Sequence, residues 1–163
     1  MDFNTLRLAV NKQKTFTFDG ILLALDPGET TGVACFTCDP TSATLVHASQ
    51  VKTWPLEVGV ANMSKLLDDL NPSSLVFESY QVYEWKSKDH IWSQIPTVQV
   101  IGMIKTLCIQ RNISFNTQTA QVAKGFCTDK KLEEWAYWQT GLRHARDAIR
   151  HACYFILFGP SKT

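Results

Sequence analysis

Gly20-Ile21-Leu22-Leu23-Ala24-Leu25-Asp26-Pro27-Gly28 reads as a buried strand that ends on a carboxylate. The apolar run is short and stops at Pro-Gly, the pattern of a strand covered on both faces. Downstream, Glu29–Gly32 is read as a turn, Val33–Thr37 as a second strand and Ala43–Thr53 as a third. Tight links between three consecutive strands predict an antiparallel meander. In the third strand, alternation places Leu45, His47 and Ser49 on one side and Val46, Ala48 and Gln50 on the other.

The rest of the chain supplies helices and two more strands. Leu56–Leu70 has apolar residues at 56, 60, 63, 66, 67 and 70, the period of an amphipathic helix, and Asn71-Pro72 stops it. Ser74-Leu75-Val76-Phe77-Glu78 repeats the opening pattern, an apolar strand ending on an acid. With the helix as crossover, it pairs parallel to the first strand. A helix over Ile95–Gln110 with Pro96 in its first turn follows, then a strand at Ile113–Phe115. Helical segments are expected near Ala120–Lys124 and Lys131–Trp138, and over Arg143–Phe158. The predicted class is α/β: a mixed five-stranded sheet in the order βββαβαβα with helices on both faces.

The chain has 163 residues, 45% of them hydrophobic. Such a chain buries roughly 70% of its extended surface, and no linker-like stretch divides it. The expectation is one domain over residues 1–163 with a core at about 20–158. No apolar run reaches the ~18 residues of a membrane span. The N-terminal stretch lacks the apolar region of a signal peptide, so a cytoplasmic protein is expected. Cys35 and Cys38 form a C-x-x-C, but no second pair follows at zinc-ribbon spacing, and the segment reads as a strand whose two thiols point to opposite faces. The net charge of +1 hides an asymmetry: 5 Lys/Arg against 9 Asp/Glu through Glu78, then 11 against 6. A basic second half is compatible with a face set against phosphates.

Asp26 and Glu78 are the unusual residues. Each ends an apolar strand, where an ionised group is costly without a partner. Either acid alone reads as a turn residue or a cap. If the two strands are parallel neighbours, both acids emerge at one end of the sheet, and a shared cation explains the pair. A third element, His144-Ala145-Arg146-Asp147-Ala148, places His144 and Asp147 on one helical face.

Together these pieces resemble the RuvC-type Holliday junction resolvases of the RNase H-like superfamily. Asp26-Pro27-Gly28 with Thr31-Gly32 is similar to their opening motif, Glu78 to their second acid, and His144-x-x-Asp147 to their closing pair, in which Asp or His precedes an Asp by three residues. Gln121-Val122-Ala123-Lys124 and Thr128-Asp129-Lys130-Lys131 resemble the family's Val-Lys helix start and second lysine. His144-Ala145-Arg146-Asp147-Ala148 with His151-Ala152 is most similar to small bacteriophage members, which would place the protein in a host cytoplasm. Where the family carries an aromatic wedge three residues after the second acid, this chain has Gln81 between Tyr80 and Tyr83.

The resemblance implies a Mg²⁺-dependent endonuclease, with Mn²⁺ as a substitute, that cuts four-way junctions or related flaps and forks. Asp26, Glu78, His144 and Asp147 would be both catalytic residues and ligands of two ions; hard oxygen donors with one imidazole suit Mg²⁺ or Mn²⁺. Lys124, Lys130 and Lys131 would contact phosphates, and Tyr80 and Tyr83 an unstacked base. Two equivalent strands in a junction imply a homodimer; Val98, Ile101, Ile104 and Leu107, or Trp85 and Trp92, are its candidate interface. An RNA–DNA hybrid nuclease would use the same ions, and an idle DNA-structure binder would be expected to have lost an acid. An actin-like half-domain, whose phosphate loop is similar to Asp26–Thr31, needs a second such domain.

Overall fold

The computed structural model describes residues 1–13, 16–80 and 95–160. Its centre is β1 (Gly20–Asp26), in which Leu22 to Leu25 are wholly buried. Alternation divides them: Leu22 and Ala24 pack into one apolar cluster, Leu23 and Leu25 into the other. β1 pairs antiparallel with β2 (Thr30–Cys38), and β2 antiparallel with β3 (Ala43–Lys52). On its other side β1 runs parallel to β4 (Ser74–Glu78), which is parallel to β5 (Ser114–Gln118). The order β3-β2-β1-β4-β5 is the mixed five-stranded sheet expected.

Helices cover both faces. On one lie α2 (Leu56–Leu70) and α3 (Pro96–Gln110), which bring Met63, Leu67, Val100 and Ile104 onto Leu23, Leu25, Leu75 and Phe77. Asn71 in the left-handed region ends α2, ahead of Pro72. Ile104 and Leu107 belong to this core and are not available to an interface; Val98, 45% exposed, is. Trp85 and Trp92 lie outside the described residues. The other face carries α4 (Ala120–Phe126), α5 (Asp129–Glu134) and α6 (Arg143–Phe158), of which α6 lies on the sheet with Ala148, Ile149, Ala152 and Ile156 fully buried. Among the described residues no helix is long and apolar enough to cross a membrane.

Several boundaries differ from expectation. Residues 3–11 form α1 (Phe3–Asn11), capped by Asp2, whose carboxylate accepts the Thr5 N–H at 2.9 Å. Phe3 stacks edge-on against Trp135 and Tyr137, and the buried Arg7 donates to the carbonyls of Phe18 and Ser42, so the core begins well before residue 20. In β3 the register slips between the pairs Cys35–His47 and Phe36–Leu45, leaving Val46 as a bulge. The extra residue reverses the phase, so Leu45 packs on the same cluster as Ala48 and not with His47 and Ser49. The turn after β1 is shorter than Glu29–Gly32, because Thr30 already pairs with Lys52. β5 runs on to Gln118. The segment expected at Lys131–Trp138 starts and stops earlier: Thr128 caps it, and Ala136, at φ 60°, turns the chain so that Tyr137 enters the core and donates to the Ala43 carbonyl at 2.7 Å. Cys35 and Cys38 do point to opposite faces, and all five thiols are buried and free.

Candidate active site

Parallel pairing decides where the acids go. Leu25 of β1 is level with Phe77 of β4, so the next residue on each strand, Asp26 and Glu78, leaves the same end of the sheet. One strand further, Gln118 is level with Glu78. Three polar side chains thus stand at the C-terminal ends of three parallel neighbours, where ligands of α/β sheets gather. The loop after Asp26 is tied down: buried Thr53 donates its hydroxyl to the Gly28 carbonyl at 2.6 Å and lies 2.8 Å from the Thr31 hydroxyl.

The N-terminal end of α6 closes over this mouth. Ala148 and Ala152 share one cluster with Ala24, Ala34 and Val76, so small residues meet and the helix lies low on the sheet. Gly32 completes the approach, since any Cβ there would overlap the His144 main-chain carbonyl. The His144 N–H donates to Gln50 Oε1 at 2.9 Å, and its Nδ1 lies 2.9 Å from Asp26 Oδ2. Asp147 meets Lys124, with Nζ 3.2 Å from Oδ2, and also Arg150, which reaches Asp129 and donates to the Cys127 carbonyl. The same Lys124 Nζ is 3.1 Å from Glu78 Oε2, and His151 Nε2 approaches that oxygen at 3.2 Å.

The charges respond to this crowding. Burial raises the Asp26 carboxyl above its ordinary value; the His144 contact opposes the rise, the negative Asp147 and Glu78 add to it, and Lys124 opposes it. Burial also pushes Glu78 upward, but His151 and Lys124 outweigh it and hold the carboxyl below its ordinary value. Lys124 is pulled down by burial and more than restored by Glu78, Asp147 and Asp26. Three mutually repelling carboxylates beside an imidazole are the donor set of a hard divalent cation. As the side chains stand, Lys124 is the neutralising cation, and no three Asp, Glu, His or Cys among the described residues form a ready metal-binding group. The residues fit Mg²⁺ in donor type and charge, and cations taken up at Glu78 and Asp147 would displace the ammonium between them.

The structure therefore brings together Asp26, Glu78, His144, Asp147 and Lys124. It sets the other expected residues apart. Lys130 is exposed on α5, and Lys131 donates to the Phe126 carbonyl at 2.8 Å with its ammonium over the Phe126 ring. Tyr80, 38% exposed, borders a cleft of about 230 Å³ with Val98, Ile101 and Lys105; Tyr83 and Gln81 fall outside the described residues. Sequence reasoning missed Gln118, His151 as a site residue, and the arginines of α6. A cleft of about 480 Å³ beside Asp147 is lined by Lys124, Arg143, Arg146 and Arg150. The spacing 143, 146, 147, 150 is one helical face and was the available signal.

Solved resolvase structures share this architecture. RuvC of Thermus thermophilus, in complex with Holliday junction substrate, superposes with a TM-score of 0.63 at 16% identity, over 85% of this chain and 94% of that one. The fowlpox virus Holliday junction resolvase gives 0.58 at 14% identity, over 83% and 96%. The yeast mitochondrial resolvase Ydc2 gives 0.52 at 14%, over 93% and 83%. No protein-family model and no curated protein sequence matches. At these identities the likeness is one of fold: this chain has the α/β fold of the RuvC-type Holliday junction resolvases.

Proposed function

We propose that this chain, built on the RuvC-type resolvase fold, is a metal-dependent endonuclease that cuts branched DNA, with the four-way junction as its principal substrate. The observation that carries the reading is the meeting of Asp26, Glu78 and Asp147 at one mouth of that fold, with Lys124 neutralising them. Two Mg²⁺ or Mn²⁺ ions held there would stabilise charge on the attacking and leaving oxygens of a phosphodiester.

Asp26, the most buried of the three acids and repelled by both others, would be shared between the two ions. Glu78 would hold one ion, and Asp147 with His144 the other. With Nδ1 on Asp26, His144 has Nε2 left to offer a ligand. The cleft lined by Lys124, Arg143, Arg146 and Arg150 lies beside Asp147 and suits a DNA backbone, and Lys130 and Lys131, outside its lining, would add further phosphate contacts. Tyr80, and Tyr83 beyond it, supply rings for a base exposed at the branch point. A four-way junction carries two equivalent strands, so the active form is a homodimer with two such sites.

The test is a substrate panel of four-way junction, flap, fork, linear duplex and RNA–DNA hybrid, each with Mg²⁺ and with chelator. Paired, chelator-sensitive cuts in the junction support the proposal. Preference for the hybrid would reassign the substrate, and binding without cutting would make the protein a DNA-structure binder.

A further inference from the structure

His151 is wholly buried on α6 and faces two polar groups. Its Nδ1 is 2.9 Å from Gln118 Oε1 and its Nε2 is 3.2 Å from Glu78 Oε2. With atoms so placed, both neighbours are acceptors. A neutral imidazole has one N–H and can satisfy only one of them, leaving lone pairs opposed at the other. A doubly protonated ring would satisfy both, but the Gln118 amide nitrogen would stay buried without a partner among the described residues.

The oxygen and nitrogen of a glutamine amide are assigned from the hydrogen bonds they make. A half-turn of the Gln118 amide removes the conflict. Gln118 Nε2–H then donates to His151 Nδ1, and His151 Nε2–H donates to Glu78. What remains without a partner is one carbonyl oxygen in place of an NH₂ group, the milder of the two.

We infer that Gln118 and His151 are positioning residues, forming a directed chain, Gln118 amide to His151 to Glu78, that fixes the imidazole as its Nε2–H tautomer and aims the Glu78 carboxylate. Both described contacts of Glu78, from Lys124 and His151, fall on Oε2, so Oε1 is the oxygen presented to a ligand. The chain reaches the site from beneath: β5 contributes Gln118, α6 contributes His151, and β4 holds the acid between them. Ligating carboxylates are commonly oriented by such hydrogen bonds. The inference rests on the reading of Glu78 as an active-site acid.

Two measurements test it. Long-range ¹H–¹⁵N correlation spectra of the imidazoles, taken on the full chain at neutral pH in chelator, report the tautomer directly; His151 is assigned by its loss in His151→Gln. The Nε2–H tautomer is expected, and an Nδ1–H tautomer or a doubly protonated ring overturns the chain. This readout needs no cleavage, so a protein that cuts no branched DNA would sink the proposed function and leave the tautomer result standing. The second compares His151→Gln, whose amide N–H replaces Nε2–H, with His151→Asn, whose amide falls near Nδ1. His151→Gln should keep kcat on a junction within about threefold of the parent, and His151→Asn should lose about 10–100-fold in kcat with KM little changed. Equal rates in the two variants, or a loss carried by KM, would remove the positioning role.

Discussion

Gly32 lies directly beneath the main-chain carbonyl of His144, with no room for a side chain between strand and helix. That contact sets the height of α6 above the sheet, and so the distance from His144 to Asp26. Gly32→Ala forces the helix outward. Overpacking of this kind costs about 1–3 kcal/mol, and thermal melts should show it. Cleavage should fall by more than the stability loss explains, because the shift separates the closing pair from the strand acids. A variant as stable and as active as the parent would mean that α6 has slack there.

Asp26 and Glu78 should affect stability in opposite directions. The Asp26 carboxyl is raised by burial, so its stabilising contribution is present below its ordinary value of 3.8 and lost as pH rises through the raised one. At neutral pH its charge is a cost, and Asp26→Asn should raise Tm in chelator. Glu78 is also desolvated, but His151 and Lys124 hold it below its ordinary 4.5, so its contribution is present above that value and lost as pH falls through the lowered one. Glu78→Gln should therefore lower Tm at neutral pH. Melts of both variants in chelator decide it, and shifts of the same sign would contradict the charge balance described.

Lys124 holds the place of a cation between Glu78 and Asp147. Lys124→Ala removes the competitor, so Mg²⁺ affinity should rise by about tenfold, equivalent to about 1.4 kcal/mol. Without divalent ions the same variant should melt lower than the parent, and added Mg²⁺ should restore it by a larger margin. Calorimetric titration of both proteins checks this; unchanged or weaker Mg²⁺ binding would show that the ammonium and the ion do not share a site.

Tyr80 stands half-exposed two residues beyond Glu78. A base stacked on such a ring gains about 1–3 kcal/mol. Tyr80→Ala should slow junction cutting by more than about tenfold while sparing nicking of simpler substrates, measured at one salt concentration. Tyr83→Ala belongs in the same series. Equal losses on all substrates would indicate a folding defect, and no loss at either position would take the branch-point contact away from this segment.

The acids at the strand ends were readable because a carboxylate after three or more apolar residues is a conflict that the local sequence cannot resolve. Asp26 and Glu78 showed it, and parallel pairing of their strands was enough to bring them together. Gln118 was not readable. Ser114–Gln118 is almost wholly polar, and it is a strand only because β4 presents an open edge to it. The bulge at Val46 likewise has no local signature, since it arises from the pairing of β3 with β2. Helix α1 has no sequence signal of its own, because a nine-residue helix is marginal alone and is held by the partners of Phe3 and Arg7, Trp135 and Ser42, far along the chain. The sequence marks Lys124 as a phosphate contact, but its place among three carboxylates depends on α4 docking beside α6, a tertiary fact.

If the acids at this mouth hold the metal ions of a junction-cutting nuclease, loss of the Asp26 charge should stop cutting without stopping binding. The direct measurement is single-turnover cleavage of a labelled four-way junction in Mg²⁺ by the parent protein and by Asp26→Asn, with binding to the same junction measured in parallel. Paired cuts by the parent are expected, and junction binding by Asp26→Asn with cleavage reduced by at least about 10³-fold. Turnover by Asp26→Asn at a rate near the parent's would contradict that role for the acids.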